Sequence, residues 1–368
     1  VLGVAIGLAF IVLLGPLERR IALVHENDFS GFWAGARGLV IGADPYDSAG
    51  WRDTVARLDT QAPDTAVYGY FPWVAVALVP LAVLPLELAA WVWMIGTVVA
   101  ATIVLRSLLR AYLPGQAILH GVFGLALLAT QPGYHALVLG QWSFALLAAL
   151  GVAVLCLRAG HSGRAGLATL AFLTKPQLFV FAALRLAAER GVMRVALPAT
   201  ALIVALSTLL LPQWLGAWIA AVGPARVARN ATIPVALGDL LGPGGTAVGY
   251  GLILVGVALA ARFGLRGDAS LAVWLALSSA GAVYTWSYDH LLLLVPIAIA
   301  GSVLYARGAR RTRAVVLGAL AVLFVLSPIF YGLAVARHRE SFSAVIPVIV
   351  FLLLVIALWP YRHVRGAD

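Results

Sequence analysis

The stretch Leu170-Ala171-Phe172-Leu173-Thr174-Lys175-Pro176-Gln177-Leu178-Phe179-Val180-Phe181 sets a single Lys-Pro step between two apolar runs. Lys175 is the sole lysine among 25 lysine and arginine residues. An ionisable side chain at membrane depth is costly. It marks either a site or a helix end from which the ammonium reaches back to the interface. A lysine ammonium is also a compact charge suited to holding a phosphate. From position alone both readings stand. In either case the stretch reads as two short half-spans or one Pro-broken helix of a membrane protein.

The composition around it agrees. With 62% hydrophobic residues and a mean hydropathy of +0.99, the chain carries more apolar surface than a soluble domain can hide. It reads as an all-α polytopic membrane protein. Apolar runs bounded by charges or by Pro/Gly give about twelve spans, near 1–17, 87–105, 115–131, 138–157, 164–174, 176–188, 194–211, 246–261, 269–286, 291–306, 314–331 and 343–360. The run 71–84 is interrupted by Pro72 and Pro80 and followed by Pro85, so it is expected to lie against the membrane rather than cross it. No soluble domain, internal repeat or low-complexity tract is evident. The chain is read as one domain, 1–368, with large outer segments at 18–86 and 212–245.

The formal charge of +10 would suit nucleic acid only if the basic residues shared one face. Here the arginines fall in short clusters between apolar spans, and nucleic acid is set aside. With a cytoplasmic N-terminus the inner loops carry Arg106/Arg110, Arg158/Arg164, Arg185/Arg190/Arg194, Arg262/Arg266, Arg307/Arg310/Arg311/Arg313 and Arg362/Arg365, against only Glu189, Asp268 and Asp368. That asymmetry fixes the orientation, with both termini cytoplasmic. Asp28, Gly140-Gln141, Lys175 and His290 then all fall on the outer side. The apolar start at Val1 has no small-residue cleavage pattern before Glu18-Arg19-Arg20, so 1–17 is expected to be a retained first span. The lone Cys156 excludes an internal disulfide and argues against a thiolate metal site.

Each polar candidate has a structural reading beside a chemical one. Asp28, in Glu26-Asn27-Asp28-Phe29-Ser30-Gly31-Phe32-Trp33, could take a proton from a sugar hydroxyl. By itself it reads better as a helix N-cap. Gly42-Ala43-Asp44-Pro45-Tyr46-Asp47 is a structural turn. Gln141 could hydrogen-bond a sugar or phosphate, or satisfy a helix end. His290, in Trp286-Ser287-Tyr288-Asp289-His290, could donate to a phosphate or belong to an aromatic interface belt. The outer turns hold no Asp-x-Asp pair, and no HExxH, P-loop or GxSxG motif occurs. A diphosphate donor commonly needs a divalent metal to neutralise its leaving group, whereas a monophosphate donor can manage with Lys, Arg and His.

Taken in order, Asp28-Phe29 with Phe32-Trp33, the turn Gly42 to Asp47, Tyr70-Phe71-Pro72 with Pro80-Leu81 and Pro85, Gly140-Gln141, Lys175-Pro176 and His290 resemble glycosyltransferase family 87 of the GT-C superfamily. That family tends to show Tyr-Pro-Pro where this chain has Tyr70-Phe71-Pro72. The resemblance runs from Asp28 to about Pro296. It implies a GT-C-type fold whose large first outer loop carries interfacial helices. It also implies an enzyme of the cytoplasmic (inner) membrane that moves a hexose, mannose foremost, or a pentose from a polyprenyl-phosphate donor to a glycolipid or glycan acceptor on the outer side. Asp28 would be the general base of an inverting, metal-independent transfer needing no cofactor. Lys175 and His290 would neutralise the departing phosphate, with Gln141 and Arg37 as further donor contacts. The lipid tail would lie near Phe71-Trp73 and Trp91-Trp93. A transporter or flippase of lipid-linked sugars is the alternative. It would need polar groups along a path through the membrane, and the charged candidates collect on one side.

Overall fold

The structure is a computed structural model that describes residues 27–58, 60, 66–221, 230–305 and 308–362; the expected first span, 1–17, lies outside these. Every regular element among the described residues is helical. In chain order they begin with α1 (Asp28–Val40), α2 (Ser48–Arg57), α3 (Pro72–Ala82), α4 (Leu86–Tyr112), α5 (Ala117–Ala129), α6 (Gln131–Val138), α7 (Ser143–Arg158) and α8 (Ser162–Thr169). Two 3₁₀ turns, Leu170–Thr174 and Pro176–Leu178, lead to α9 (Val180–Leu186) and α10 (Arg190–Leu210). Then come α11 (Trp214–Ala221), α12 (Ile233–Leu241), α13 (Pro243–Ala261) and α14 (Gly267–Ala280). A 3₁₀ segment, Ser287–Leu293, runs into α15 (Leu294–Tyr305). The chain closes with α16 (Ala309–Ala321), α17 (Ser327–Arg337) and α18 (Val345–Leu358).

Six described helical stretches are long and apolar enough to cross a bilayer: Leu86–Tyr112, Arg190–Leu210, Pro243–Ala261, Ser287–Tyr305, Thr312–Arg337 and Ser341–Tyr361. A seventh is made if α6 and α7, bent by 118° at their junction, form one broken span. The count of about twelve therefore does not carry over to the described residues. The apolar runs are present, but most of the remaining ones are shorter as helices than their hydropathy suggests. The run 164–188 breaks at Pro176, because a proline disfavours helical geometry in the residue before it. The run 269–286 ends as a helix at Ala280, and 115–131 yields the 13 residues of α5.

α3 has 11 residues, about 16 Å of helix, roughly half the hydrocarbon core. It packs against α1, burying Val74, Ala75, Leu78 and Ala82. The two helices and α2 lie within residues 18–86, and α11 and α12 within 212–245.

Two packings bring the polar junctions together. Asn27 caps α1, its Oδ1 accepting the Ser30 N–H at 3.2 Å, so Asp28 is the first helical residue and its carboxylate is not the cap. The bend between α6 and α7 then presses on α1 at Gly140. Its φ of +62° is left-handed, and a Cβ there would sit 2.7 Å from the Phe29 Cβ. The indole N–H of Trp93 donates to the Gly140 carbonyl at 2.8 Å and locks the corner to α4.

Candidate active site

Lys175 sits between two 3₁₀ turns with φ −142°, ψ 67°, outside the helical region that a following proline disfavours. Phe172 and Phe179 stack across the break with centroids 4.3 Å apart, and Trp73 of α3 donates its indole N–H to the Leu173 carbonyl at 2.8 Å. The turn is thus pinned on both sides, and the lysine points inward. It is 6% exposed, which removes the snorkelling reading, since that requires the ammonium to be in water.

The ammonium meets Asp289 Oδ1 at 2.9 Å and donates to Gln141 Oε1 at 3.1 Å, with the Tyr288 ring 4.6 Å away. Asp289 is 2% exposed, and its charge is shared among three donors. Besides Lys175 these are Ser143 Oγ at 3.0 Å and the backbone N–H of Trp286 at 3.3 Å. The Trp286 contact is the back half of a capping box, a carboxylate three residues into the turn reaching the cap N–H. A buried ion pair offsets its desolvation only when its remaining lone pairs are satisfied in this way.

Gln141 carries the arrangement to the surface. An ammonium can only donate, so Gln141 turns Oε1 to Lys175 and leaves its amide N–H groups for an acceptor. Gln141 Nε2 donates to Asp28 Oδ2. Gln141 is 1% exposed, whereas Asp28 is partly exposed. The result is a chain, Asp289 to Lys175 to Gln141 to Asp28, running from the interior to an accessible carboxylate. Residues 28, 141, 175 and 289 come from four elements, and only tertiary packing makes them neighbours.

The model of glycosyltransferase family 87 matches residues 68–296. The chain belongs to glycosyltransferase family 87. No curated protein and no solved structure matches it. As a family member it is a membrane glycosyltransferase. The matched stretch holds Gln141, Lys175, Asp289 and His290, while Asp28 lies before it.

In this glycosyltransferase His290 and Arg37 stand apart from the chain of contacts. His290 is 1% exposed, and neither ring nitrogen hydrogen-bonds to the protein. It follows Asp289 in a 3₁₀ turn, where successive side chains diverge by about 120°, so the acid that reaches Lys175 and the histidine face different ways. Arg37 lies nine residues along α1, about 13 Å from Asp28 by helical rise. Its guanidinium donates to the Ala82 carbonyl at 3.1 Å, capping the end of α3. This contact uses one of the five guanidinium N–H groups of Arg37.

Asp289, Ser143 and Tyr288 are the members that sequence reading passes over. Their signal was present in part, because Asp289 is an acid next to His290 at the same junction. Nothing in the sequence says that it, rather than its neighbour, turns towards Lys175. Among the aromatic residues expected near the lipid, Phe71 and Trp73 stack on each other at 4.7 Å. Trp214 and Trp218 of α11 pack around them. Trp93 packs inward on Trp142 and Phe29, and Trp91 faces out. Among the described residues no three His, Cys, Asp or Glu side chains gather as a metal site.

Proposed function

We propose that the enzyme transfers a hexose, mannose first among them, or a pentose from a polyprenyl-phosphate donor to a glycolipid or glycan hydroxyl at the outer membrane face. Asp28 is the base. The observation that carries this reading is its setting: a partly exposed carboxylate oriented by Gln141, which is itself fixed by the buried Lys175–Asp289 pair. Asp28 takes the acceptor proton as the hydroxyl oxygen bonds to the anomeric carbon. The bond from that carbon to the phosphate oxygen breaks on the opposite face, which inverts the centre and releases polyprenyl phosphate.

The growing phosphate charge needs donors already in place. An ammonium has three N–H groups; Asp289 and Gln141 take two, and the third is left for the donor phosphate. The His290 ring nitrogens are a second set of groups for that phosphate. Divalent metal has no part in this scheme. The aromatic cluster of Phe71, Trp73, Trp214 and Trp218 borders the lipid tail.

The test is transfer in proteoliposomes across a panel of polyprenyl-phosphate sugars. Asp28→Asn keeps one oxygen to accept from Gln141 Nε2 but not the base, and is expected to fold while losing about 10²- to 10⁴-fold in kcat. Turnover at the wild-type rate in this variant would sink the assignment. Movement of donor across the bilayer without transfer would favour a flippase instead.

A further inference from the structure

Glu340 lies in the turn between α17 and α18, beyond the family-matched residues and in a part of the chain with no recognisable functional pattern. Its Oε2 accepts the Ser287 backbone N–H at 2.8 Å. Ser287 opens the 3₁₀ segment that presents Asp289 to Lys175. The residues on either side of Glu340 are tied down elsewhere. Arg339 pairs with Asp239 of α12 at 2.6 Å, and Ser341 Oγ donates to the other oxygen of the same carboxylate at 2.6 Å. His338, with φ +54°, turns the chain at the end of α17. The turn is thus buckled to α12 while its central acid reaches the site.

Burial pushes the Glu340 carboxyl above the usual glutamate range, the Ser287 hydrogen bonds pull it back, and the negative charges of Asp289 and Asp28 push it further up. The other titratable groups around it are His135 of α6 and Tyr331 of α17, whose rings lie 4.8 Å apart. His135 Nδ1 is 3.5 Å from Ser287 Oγ, and Lys175 stands across Asp289.

We propose that Glu340 is a positioning residue of the transfer site, holding through Ser287 the turn that carries Asp289 to Lys175. The proposal rests on the reading of Asp28 as base.

Two variants of the full chain test it. Glu340→Gln keeps an acceptor oxygen for the Ser287 N–H; Glu340→Ala removes it. Transfer is followed in proteoliposomes with polyprenyl-phosphate mannose as donor. Glu340→Ala is expected to lower kcat about tenfold with little change in donor KM, and Glu340→Gln to restore most of that loss. Full kcat in Glu340→Ala, or a Glu340→Gln variant as impaired as Glu340→Ala, overturns the positioning. Either of these results alongside loss of transfer in Asp28→Asn breaks this proposal alone. Retained transfer in Asp28→Asn, with kcat lowered in Glu340→Ala and restored in Glu340→Gln, breaks the base reading and leaves the positioning standing.

Discussion

Ser287–Tyr305 and Arg190–Leu210 both qualify as membrane spans, and hydropathy alone does not separate them. Their settings differ almost completely: 89% of the first window is buried inside the protein, and 11% of the second. The buried one starts with Ser287, Tyr288 and Asp289 and carries the partner of Lys175. In α10 only Val192 and Ser207 are buried, and Leu202 and Leu209 face outward. A span surrounded by protein can hold a charge because neighbours supply the counter-ion. A span facing lipid has none to offer.

This contrast gives a ranked set of expectations. Asp289→Ala should be the most damaging to stability, because it leaves the Lys175 ammonium buried without its counter-charge. Losses on breaking such a pair are about 3–5 kcal/mol, readable as a lowered unfolding midpoint in detergent. Asp289→Asn, which keeps the shape and one acceptor oxygen for Lys175 but turns the other oxygen into a donor, should cost less. Gly140→Ala combines a left-handed backbone with a clash against Phe29 and should cost about 1–3 kcal/mol, with a matching loss of transfer as Gln141 shifts from Asp28.

Glu340 tests the sign of a smaller effect. Its carboxyl is pushed up in the folded protein, chiefly by burial, so the folded state holds its proton more tightly than the unfolded one. Its contribution is therefore most favourable below the ordinary glutamate range and is lost as pH rises through the folded value. Glu340→Gln should flatten that fall in a pH series of unfolding midpoints. A steeper fall in the variant would contradict it. Leu202→Ala on α10 should change stability by about 0.5 kcal/mol or less. A loss as large as that of Asp289→Ala would break the contrast between the two spans.

Legibility varied with the kind of residue. Lys175 stood out because a charge in an apolar run has no bland surroundings, and Pro176 marked the break that turns it inward. Gln141 stood out as a polar residue opening an apolar span, and the structure uses the corner at Gly140 to set it on Asp28. Asp28 was quoted with its neighbours, but the competing reading as a cap dissolved only when Asn27 was seen to fill that role. Arg37 was legible as a charge on the same helix, but its contact with the end of α3 was not.

The sequence by itself determined the membrane class, the interruption at Lys175-Pro176 and the polar junctions from which a site could be assembled. These follow from composition and local backbone rules, which act over a few residues. Only the tertiary structure decided that Asp289 rather than His290 meets the lysine, that Gln141 relays this contact to Asp28, and that Glu340 from the far end of the chain supports the turn. Those outcomes depend on the direction a side chain leaves a 3₁₀ turn and on which helices pack together, and a 2.9 Å contact between residues 114 positions apart leaves no trace in local pattern.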